Sequence, residues 1–128
     1  MRVKCLDTYA LIELALGNPA FNHYIQQDFV IAELTLAEFY NWLLKVHNEQ
    51  TAEYWFKKFQ AYGIPARIEL ILEAVRFRHE QRKQKKNFSF FDAVGYITAI
   101  KHQCVFVTGD YAFKELPHVE FRKRMEEK

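Results

Sequence analysis

Glycine and proline are scarce in this chain, with 4 and 3 among its 128 residues. This scarcity excludes a collagen-like or low-complexity chain, and a hydrophobic content of 50% excludes a disordered one. A chain of this length buries roughly two thirds of its unfolded surface when it folds. We therefore expect residues 1–128 to form a single domain.

Long uncharged hydrophobic runs are absent as well. The longest uncharged run, residues 14–27, has 14 residues and is interrupted by Gly17, Asn18 and Pro19, whereas a membrane-spanning helix needs about 18 to 20 apolar residues. Asp7 stands where the apolar core of a signal peptide would have to continue. The sequence predicts a cytoplasmic protein with no membrane partner.

Cysteine is limited to Cys5 and Cys104, which form no Cys-x-x-Cys pair, and the five histidines share no metal-ligand spacing. These features argue against a disulfide framework and against a zinc site. Both cysteines are predicted to be buried, reduced thiols on strands.

Charge is unevenly distributed along the chain. The net charge is +2, but residues 76–86 carry six Lys or Arg against one Glu, a local charge of +5 that leaves −3 on the remainder. A basic segment beside an acidic remainder is typical of a protein that binds a polyanion. Lys83, Lys85 and Lys86 are candidates for nucleic-acid contacts. The alternative is that they complement the dipole at a helix C-terminus.

Short apolar segments alternate with helical patterns. Residues 3–6, 29–32 and 104–107 are typical of buried parallel strands, and residues 65–68 and 119–121 are weaker strand candidates, the last at an edge. Helices are predicted over residues 8–16, 34–47, 51–62, 68–83 and 90–102. The fold class predicted is α/β: a three-layer α/β/α sandwich with a central parallel sheet of four to five strands.

Four acids are expected at one edge of this sheet. Asp7 and Asp110 follow predicted strands, and Glu38 and Asp92 stand near the starts of helices that begin at the carboxyl edge. Ligands of open α/β sheets bind at that edge, where the strand order reverses. Clustered carboxylates repel one another unless a cation neutralises them, and Mg²⁺ or Mn²⁺ prefers such oxygen ligands.

Each acid also has a local alternative role. Thr35-x-x-Glu38 and Ser89-x-x-Asp92 match the capping box, in which the acid bonds to the first helical turn. Asp7 could be a plain N-cap, and Asp110 a turn residue. Local capping explains each acid singly, but it does not explain why all four should meet at one edge.

The segments that carry these acids resemble the four signature segments of PIN-domain nucleases. They are LDTYALI at 6–12, LTLAEF at 34–39, SFFDA at 89–93 and VFVTGDYAF at 105–113. Their order and spacing agree over residues 1–122, and the small size is most similar to VapC-type toxins of toxin–antitoxin systems. The basic segment before Asp92 departs from the usual pattern.

The resemblance implies a Mg²⁺- or Mn²⁺-dependent endoribonuclease. Asp7, Glu38, Asp92 and Asp110 would be the catalytic and metal-binding residues, and Thr108 would orient a carboxylate or a water. A metal-activated water would attack the RNA phosphodiester and leave a 5′-phosphate and a 3′-hydroxyl. Two alternatives remain open: a housekeeping RNA-processing nuclease, and a catalytically silent RNA-binding or scaffold module.

Aromatic residues crowd the two helices predicted over residues 34–62. Eight of them spread over more than one helix face, which predicts a partner surface in addition to the core. By the resemblance, the partners are a second copy of the chain and an antitoxin segment. The alternative is a helix hairpin packed thickly on the sheet. The aromatic residues are Phe39, Tyr40, Trp42, Tyr54, Trp55, Phe56, Phe59 and Tyr62.

Overall fold

The computed structural model describes residues 2–124, so residues 1 and 125–128 of the predicted domain lie outside the described part. Its strands are β1 (Lys4–Leu6), β2 (Phe29–Ala32), β3 (Gly63–Ile64), β4 (Val105–Thr108) and β5 (Val119–Phe121). Its α-helices are α1 (Thr8–Ala15), α2 (Glu33–Val46), α3 (Glu49–Phe59), α4 (Ile68–Lys83) and α5 (Phe90–Lys101). Three 3₁₀-helices cover Pro19–Gln26, Gln60–Tyr62 and Tyr111–Phe113.

The described strands form one parallel sheet in the order β3-β2-β1-β4-β5. Successive side chains of a strand point to opposite faces, and each face has its own core. Leu6 and Val107 belong to one buried cluster with residues of α1, α2 and α3. Cys5 and Phe106 belong to a second cluster with residues of α4 and α5. The predicted three-layer α/β/α sandwich with a parallel sheet is confirmed.

Side-chain caps explain where several helices begin. Asp7 accepts a hydrogen bond from the Ala10 amide (2.9 Å) and starts α1. The Asn48 carboxamide accepts from the Thr51 amide (2.7 Å), so α3 begins at Glu49, two residues before the predicted start. At its other end α3 stops at Phe59, and the last predicted residues form a 3₁₀ turn.

The strand predicted at residues 65–68 is wrong. The strand in this part of the chain is β3 (Gly63–Ile64). It pairs with Ile31 and Ala32 of β2 and ends directly before Pro65. β2 itself ends at Ala32, which pairs with Ile64, so residues 65–68 have no strand residue beside them to pair with. Ile68 instead begins α4. The edge strand predicted at Val119–Phe121 is confirmed as β5.

Both cysteines are buried and free. Cys5 is the middle residue of β1, and Cys104 directly precedes β4. Their predicted place in the sheet interior is thus confirmed for Cys5 and displaced by one residue for Cys104. Within residues 2–124, no helix is long and apolar enough to cross a membrane.

The chain adds strands first on one side of β1 and later on the other. After β1 it forms β2 and β3 on one side, then crosses through α4 and α5 to place β4 on the opposite side. β1 and β4 are therefore neighbours, and the Asp7 amide donates to the Val107 carbonyl (3.1 Å). The strand order reverses here, and the carboxyl ends of these two strands mark the usual position of an α/β site.

Candidate acidic site at the carboxyl edge

All four predicted acids stand on segments that meet this edge. Asp7 directly follows β1, and Asp110 follows β4 by two residues. Glu38 lies in the second turn of α2, which begins immediately after β2, and Asp92 lies in the first turn of α5. The helix α5 leads into β4, so its first turn is at the carboxyl edge, as the connection rules for parallel strands require.

Asp7 is the most buried of the four, with 5% of its surface exposed. The pKa of its carboxyl group is raised to about 7, chiefly by burial and in smaller part by the negative charges of Asp92 and Asp110. Hydrogen bonds from Thr108 and from the Ala10 amide oppose that rise. Asp7 thus feels two carboxylates from other elements and is largely stripped of water.

Asp92 behaves in the same way. Its pKa is raised to about 6, chiefly by burial and in smaller part by the charges of Glu38 and Asp110, while hydrogen bonds to Ser89 oppose the rise. The Ser89 hydroxyl in turn accepts from the Asp92 amide (3.0 Å). These reciprocal bonds are a capping box, so the local role considered for Asp92 is present together with the electrostatic coupling.

Glu38 is not a capping residue. The helix α2 already begins at Glu33 behind Ala32, which makes no side-chain cap, and Thr35 is buried inside the helix. The capping-box interpretation of Thr35-x-x-Glu38 is therefore wrong. The Glu38 carboxylate instead accepts a hydrogen bond from the Thr8 hydroxyl, the residue after Asp7.

Thr108 is the last residue of β4, and Asp110 lies in the loop that follows. The Asp110 carboxylate accepts from the Ala112 amide (3.0 Å) and caps the short 3₁₀-helix that follows. The Asp110 amide donates to the Thr108 hydroxyl oxygen (3.1 Å), and Thr108 also hydrogen-bonds to Asp7. Thr108 therefore links the acid after β1 to the acid after β4.

The donor set is suited to a hard divalent cation, since it consists of carboxylate and hydroxyl oxygens. Mutual repulsion and burial both make the ionised acids costly, and a bound cation would offset that cost. Among residues 2–124, however, no group of three or more His, Cys, Asp or Glu side chains is arranged to hold a metal ion. The carboxylates are turned toward local hydrogen-bond donors, Asp7 and Asp110 toward main-chain amides and Glu38 toward the Thr8 hydroxyl.

Two contacts at this edge escaped the sequence prediction. Thr8 ties Glu38 to the end of β1, and its only signal is a hydroxyl directly after the first acid. A Cβ atom added at Gly109 would overlap the Tyr9 ring. The Tyr9 ring therefore rests on the main chain between Thr108 and Asp110, and the signal for this is a glycine in a glycine-poor chain.

The basic segment ends near the start of α5 but makes no described contact with the four acids. Lys83 and Lys85 are exposed and Lys86 is half-buried. Lys83 lies in the last turn of α4 and pairs with Glu80 (3.3 Å), which matches the helix-terminus alternative. The six-residue connection between α4 and α5 contains Lys85 and Lys86 and ends at Ser89. Asp92 follows in the first turn of α5.

The sheet is parallel, and its acidic edge lies where the strand order reverses. The chain is therefore an α/β protein whose candidate functional site lies beyond the carboxyl ends of its strands. The family model described as PIN domain matches residues 4–119. The chain therefore belongs to the PIN domain family, whose members are nucleases, and the predicted resemblance is confirmed.

Solved structures share this fold. A toxin–antitoxin complex from Klebsiella pneumoniae is 22% identical with a TM-score of 0.72, and the match covers 96% of this chain and 98% of that one. VapBC2 from Rickettsia felis, bound to a DNA fragment from its promoter, is 16% identical with a TM-score of 0.78 and covers 94% and 99%. VapC20 from Mycobacterium tuberculosis, a toxin that cleaves the sarcin–ricin loop, is 14% identical with a TM-score of 0.69 and covers 91% and 98%. No curated protein matches the chain.

Proposed function

We propose that this protein is a metal-dependent endoribonuclease and the toxin of a type II toxin–antitoxin pair. The observation that carries the proposal is the electrostatic coupling of acids from four separate elements. Asp7 is coupled to Asp92 and Asp110, and Asp92 to Glu38 and Asp110. Local capping does not require acids of different elements to face one another at the switch point of the sheet.

In this proposal Asp7, Glu38, Asp92 and Asp110 bind Mg²⁺ or Mn²⁺ once their carboxylates have rotated away from their present hydrogen-bond partners. The ion would supply a water of lowered pKa and would stabilise negative charge on the phosphate. Thr108 holds Asp7 and the acid after β4 in position relative to each other. The buried setting strengthens each electrostatic contact between these groups. Because water is the nucleophile, the products would carry a 5′-phosphate and a 3′-hydroxyl.

The toxin role is supported by the kind of protein that shares the fold. Two of the solved structures named above are complexes of a toxin with an antitoxin, and a third is a toxin that cleaves the sarcin–ricin loop. The RNA substrate and the cytoplasmic location belong to the same proposal. A housekeeping RNA-processing nuclease would have the same chemistry and would differ in its effect on the cell.

An apolar groove between α2 and α3 supports an antitoxin partner. It has a volume of about 400 Å³, and Leu36, Ala37, Tyr40 and Phe56 are among its lining residues. Phe39 and Phe59 of the aromatic set are buried in the core, whereas Tyr54 is 58% and Phe56 37% exposed. The hairpin thus buries part of the set and leaves part at the surface, where an antitoxin helix or a second copy of the chain would bind.

Cleavage of a mixed RNA pool tests the enzyme. The wild-type protein is expected to cleave with Mg²⁺ or Mn²⁺ and not with EDTA, and Asp92→Asn is expected to lose at least about 100-fold in rate. Asp28→Asn is the matched control, because Asp28 is exposed at the amino end of β2. Equal, trivial activity of all three proteins would favour the silent module.

Expression in a bacterial host separates the toxin from the processing enzyme. The wild-type chain is expected to arrest growth, and Asp92→Asn is expected to be tolerated at the same protein level. Unimpaired growth with a wild-type protein that cleaves RNA in vitro would contradict the toxin role and leave the nuclease intact.

A further inference from the structure

An aromatic cluster with two lysines lies beside Asp110 and is not used by the proposed chemistry. Tyr111 directly follows Asp110, and its ring contacts Phe121 at a centroid distance of 5.0 Å. The Tyr9 ring lies on the main chain at Gly109, one residue before Asp110. Three aromatic side chains from α1, the 3₁₀-helix and β5 thus surround the loop that carries the last acid.

Two ammonium groups lie over these rings. Lys123 Nζ is 4.2 Å from the centre of the Tyr111 ring, 5.4 Å from Tyr9 and 5.8 Å from Phe121. Lys114 Nζ is 5.2 Å from the Phe121 ring and 5.8 Å from Tyr111. In the described part of the chain neither lysine pairs with a carboxylate. Their charges are held by ring faces and remain available to an anion.

Tyr111 remains accessible in spite of these neighbours. Its side chain is 56% exposed, although a ring and two ammonium groups lie against it. More than half of the Tyr111 side chain is thus open to solvent, in contrast to Phe113 two residues later, which is fully buried. Exposed rings that alternate with lysines are the usual surface for single-stranded nucleic acid, because every base offers a face for stacking.

We propose that Tyr111 stacks on the base of a nucleotide next to the cleaved phosphate, while Lys114 and Lys123 bind phosphates of the same strand. The inference rests on the proposed nuclease function and adds a base-binding position at Tyr111 to it. The flexible lysine stems can exchange the ring faces for phosphate oxygens when the strand enters. A paired base is already stacked within its helix, so a duplex cannot offer its face to Tyr111.

Binding to a short fluorescent RNA tests this site in the Asp92→Asn background, which prevents cleavage. We expect Tyr111→Phe to keep the affinity of the parent within about twofold, because the ring remains. Tyr111→Ala is expected to bind roughly tenfold more weakly, the effect of losing one stacked base. Leu72→Ala, which trims an exposed apolar side chain of α4, is expected to bind like the parent.

Lys123→Gln tests the electrostatic part of the site. Removing one phosphate contact should lower the slope of log affinity against log salt concentration by about 0.7 for a single strand. A base analogue that loses fluorescence on stacking, placed near the cleavage position, should be quenched by the parent and by Tyr111→Phe but not by Tyr111→Ala. Affinity of Tyr111→Ala equal to that of the parent would overturn the inference, even if Lys123→Gln binds weakly.

Failure of this inference is distinguishable from failure of the proposed function. If the wild-type protein cleaves RNA and Tyr111→Ala cleaves with unchanged kcat and KM, the stacking site is wrong and the nuclease stands. If the wild-type protein neither binds nor cleaves RNA, both are wrong. A rise in KM with little change in kcat for Tyr111→Ala is the expected result.

Discussion

Asp7 combines a structural and an electrostatic task in one residue. One carboxylate oxygen accepts from the Ala10 amide and starts α1, as an N-cap does. The same group is buried next to the charges of Asp92 and Asp110, which with burial brings its pKa to about 7. An asparagine at this position keeps a capping oxygen and removes the charge.

We therefore expect Asp7→Asn to abolish cleavage and to stabilise the metal-free protein. At pH 7.5 in EDTA the free energy of unfolding should rise by roughly 1 to 3 kcal/mol, because the variant avoids ionising a buried acid. Thermal and urea unfolding measure the change. Asp28→Asn should stay within about 0.5 kcal/mol of wild type. A less stable Asp7→Asn protein would show that capping by the carboxylate is its main role.

The pH dependence of stability in EDTA follows from the same groups. The pKa values of Asp7 and Asp92 are raised in the folded state from 3.8 to about 7 and about 6. Between about pH 4 and pH 7 the folded state therefore binds more protons than the unfolded state, and stability falls as pH rises. Asp7→Asn should flatten this fall, and an equally steep curve for that variant would contradict the assignment.

At the level of single residues, the sequence predicts the acids but not their contacts. Asp7 and Asp110 are predictable because they stand one and two residues after the ends of strands, and Asp92 because it stands three residues after a capping serine. The bond from Thr8 to Glu38 and the seat of Tyr9 on Gly109 join segments 30 and 100 positions apart. Such contacts depend on side-chain packing that no local pattern records.

At the level of elements, the start of α5 fixes one acid of the site. The Ser89 hydroxyl accepts from the Asp92 amide, and the Asp92 carboxylate bonds back to Ser89. This exchange sets the first turn of the helix relative to the loop after the basic segment. The position and orientation of Asp92 thus depend on Ser89, a residue that has no catalytic or metal-binding role in the proposal.

Removal of that cap gives a prediction for the element. Ser89→Ala should lower the free energy of unfolding by about 1 kcal/mol, because it leaves the Asp92 amide without its partner. Ser89→Thr is the matched control, since threonine retains a capping hydroxyl, and should lose only a few tenths of a kcal/mol. Urea unfolding decides between them, and equal stability of the two variants would show that the cap contributes nothing.

Element boundaries were predictable where a capping side chain or an apolar run marks them. β1, β2 and β5 and the long helices α2, α4 and α5 lie within about a residue or two of their predicted positions. β3 was misplaced because it has only two residues, and pairing with β2, not its own composition, makes it a strand. The 3₁₀-helix Pro19–Gln26 was missed because it begins at a proline directly after Gly17 and Asn18, and such a group of residues usually signals a loop.

For the whole molecule, the notable feature is the separation of charge. The acids lie at the carboxyl edge of the sheet, and the basic segment ends in the connection that leads to α5. A polyanion approaching the acidic edge needs positive charge beside it, since the acids alone would repel phosphates. Lys83, Lys85 and Lys86 remain our prediction for that charge.

The triple variant Lys83→Gln, Lys85→Gln and Lys86→Gln tests this role. If the three lysines contact phosphates, the slope of log affinity against log salt concentration should fall by about 2. The control replaces Lys45, Lys57 and Lys58 by Gln in the same way. These lysines are exposed on α2 and α3, and their replacement removes the same net charge. Equal slopes for the two triple variants would assign the three lysines to helix termination.

The overall architecture was the most predictable level, because alternating strands and helices leave few ways to build a parallel sheet. β1 and β4 are hydrogen-bonded neighbours, so Asp7 and Asp110 follow adjacent strands, in line with the prediction that these acids lie at one edge of the sheet. The groove between α2 and α3 was predicted only as an excess of aromatic residues. Its shape arises from how the two helices cross, which the sequence does not specify.

The seat of the Tyr9 ring on Gly109 makes two distant positions exchangeable only as a pair. Any side chain at 109 needs the space that the Tyr9 ring occupies. Tyr9 would therefore have to be replaced by a smaller residue before Gly109 could be replaced by a larger one. That order of events would also uncover Lys123, which lies over the same ring. A change in the first turn of α1 would in this way alter the loop after β4 without replacing an acid.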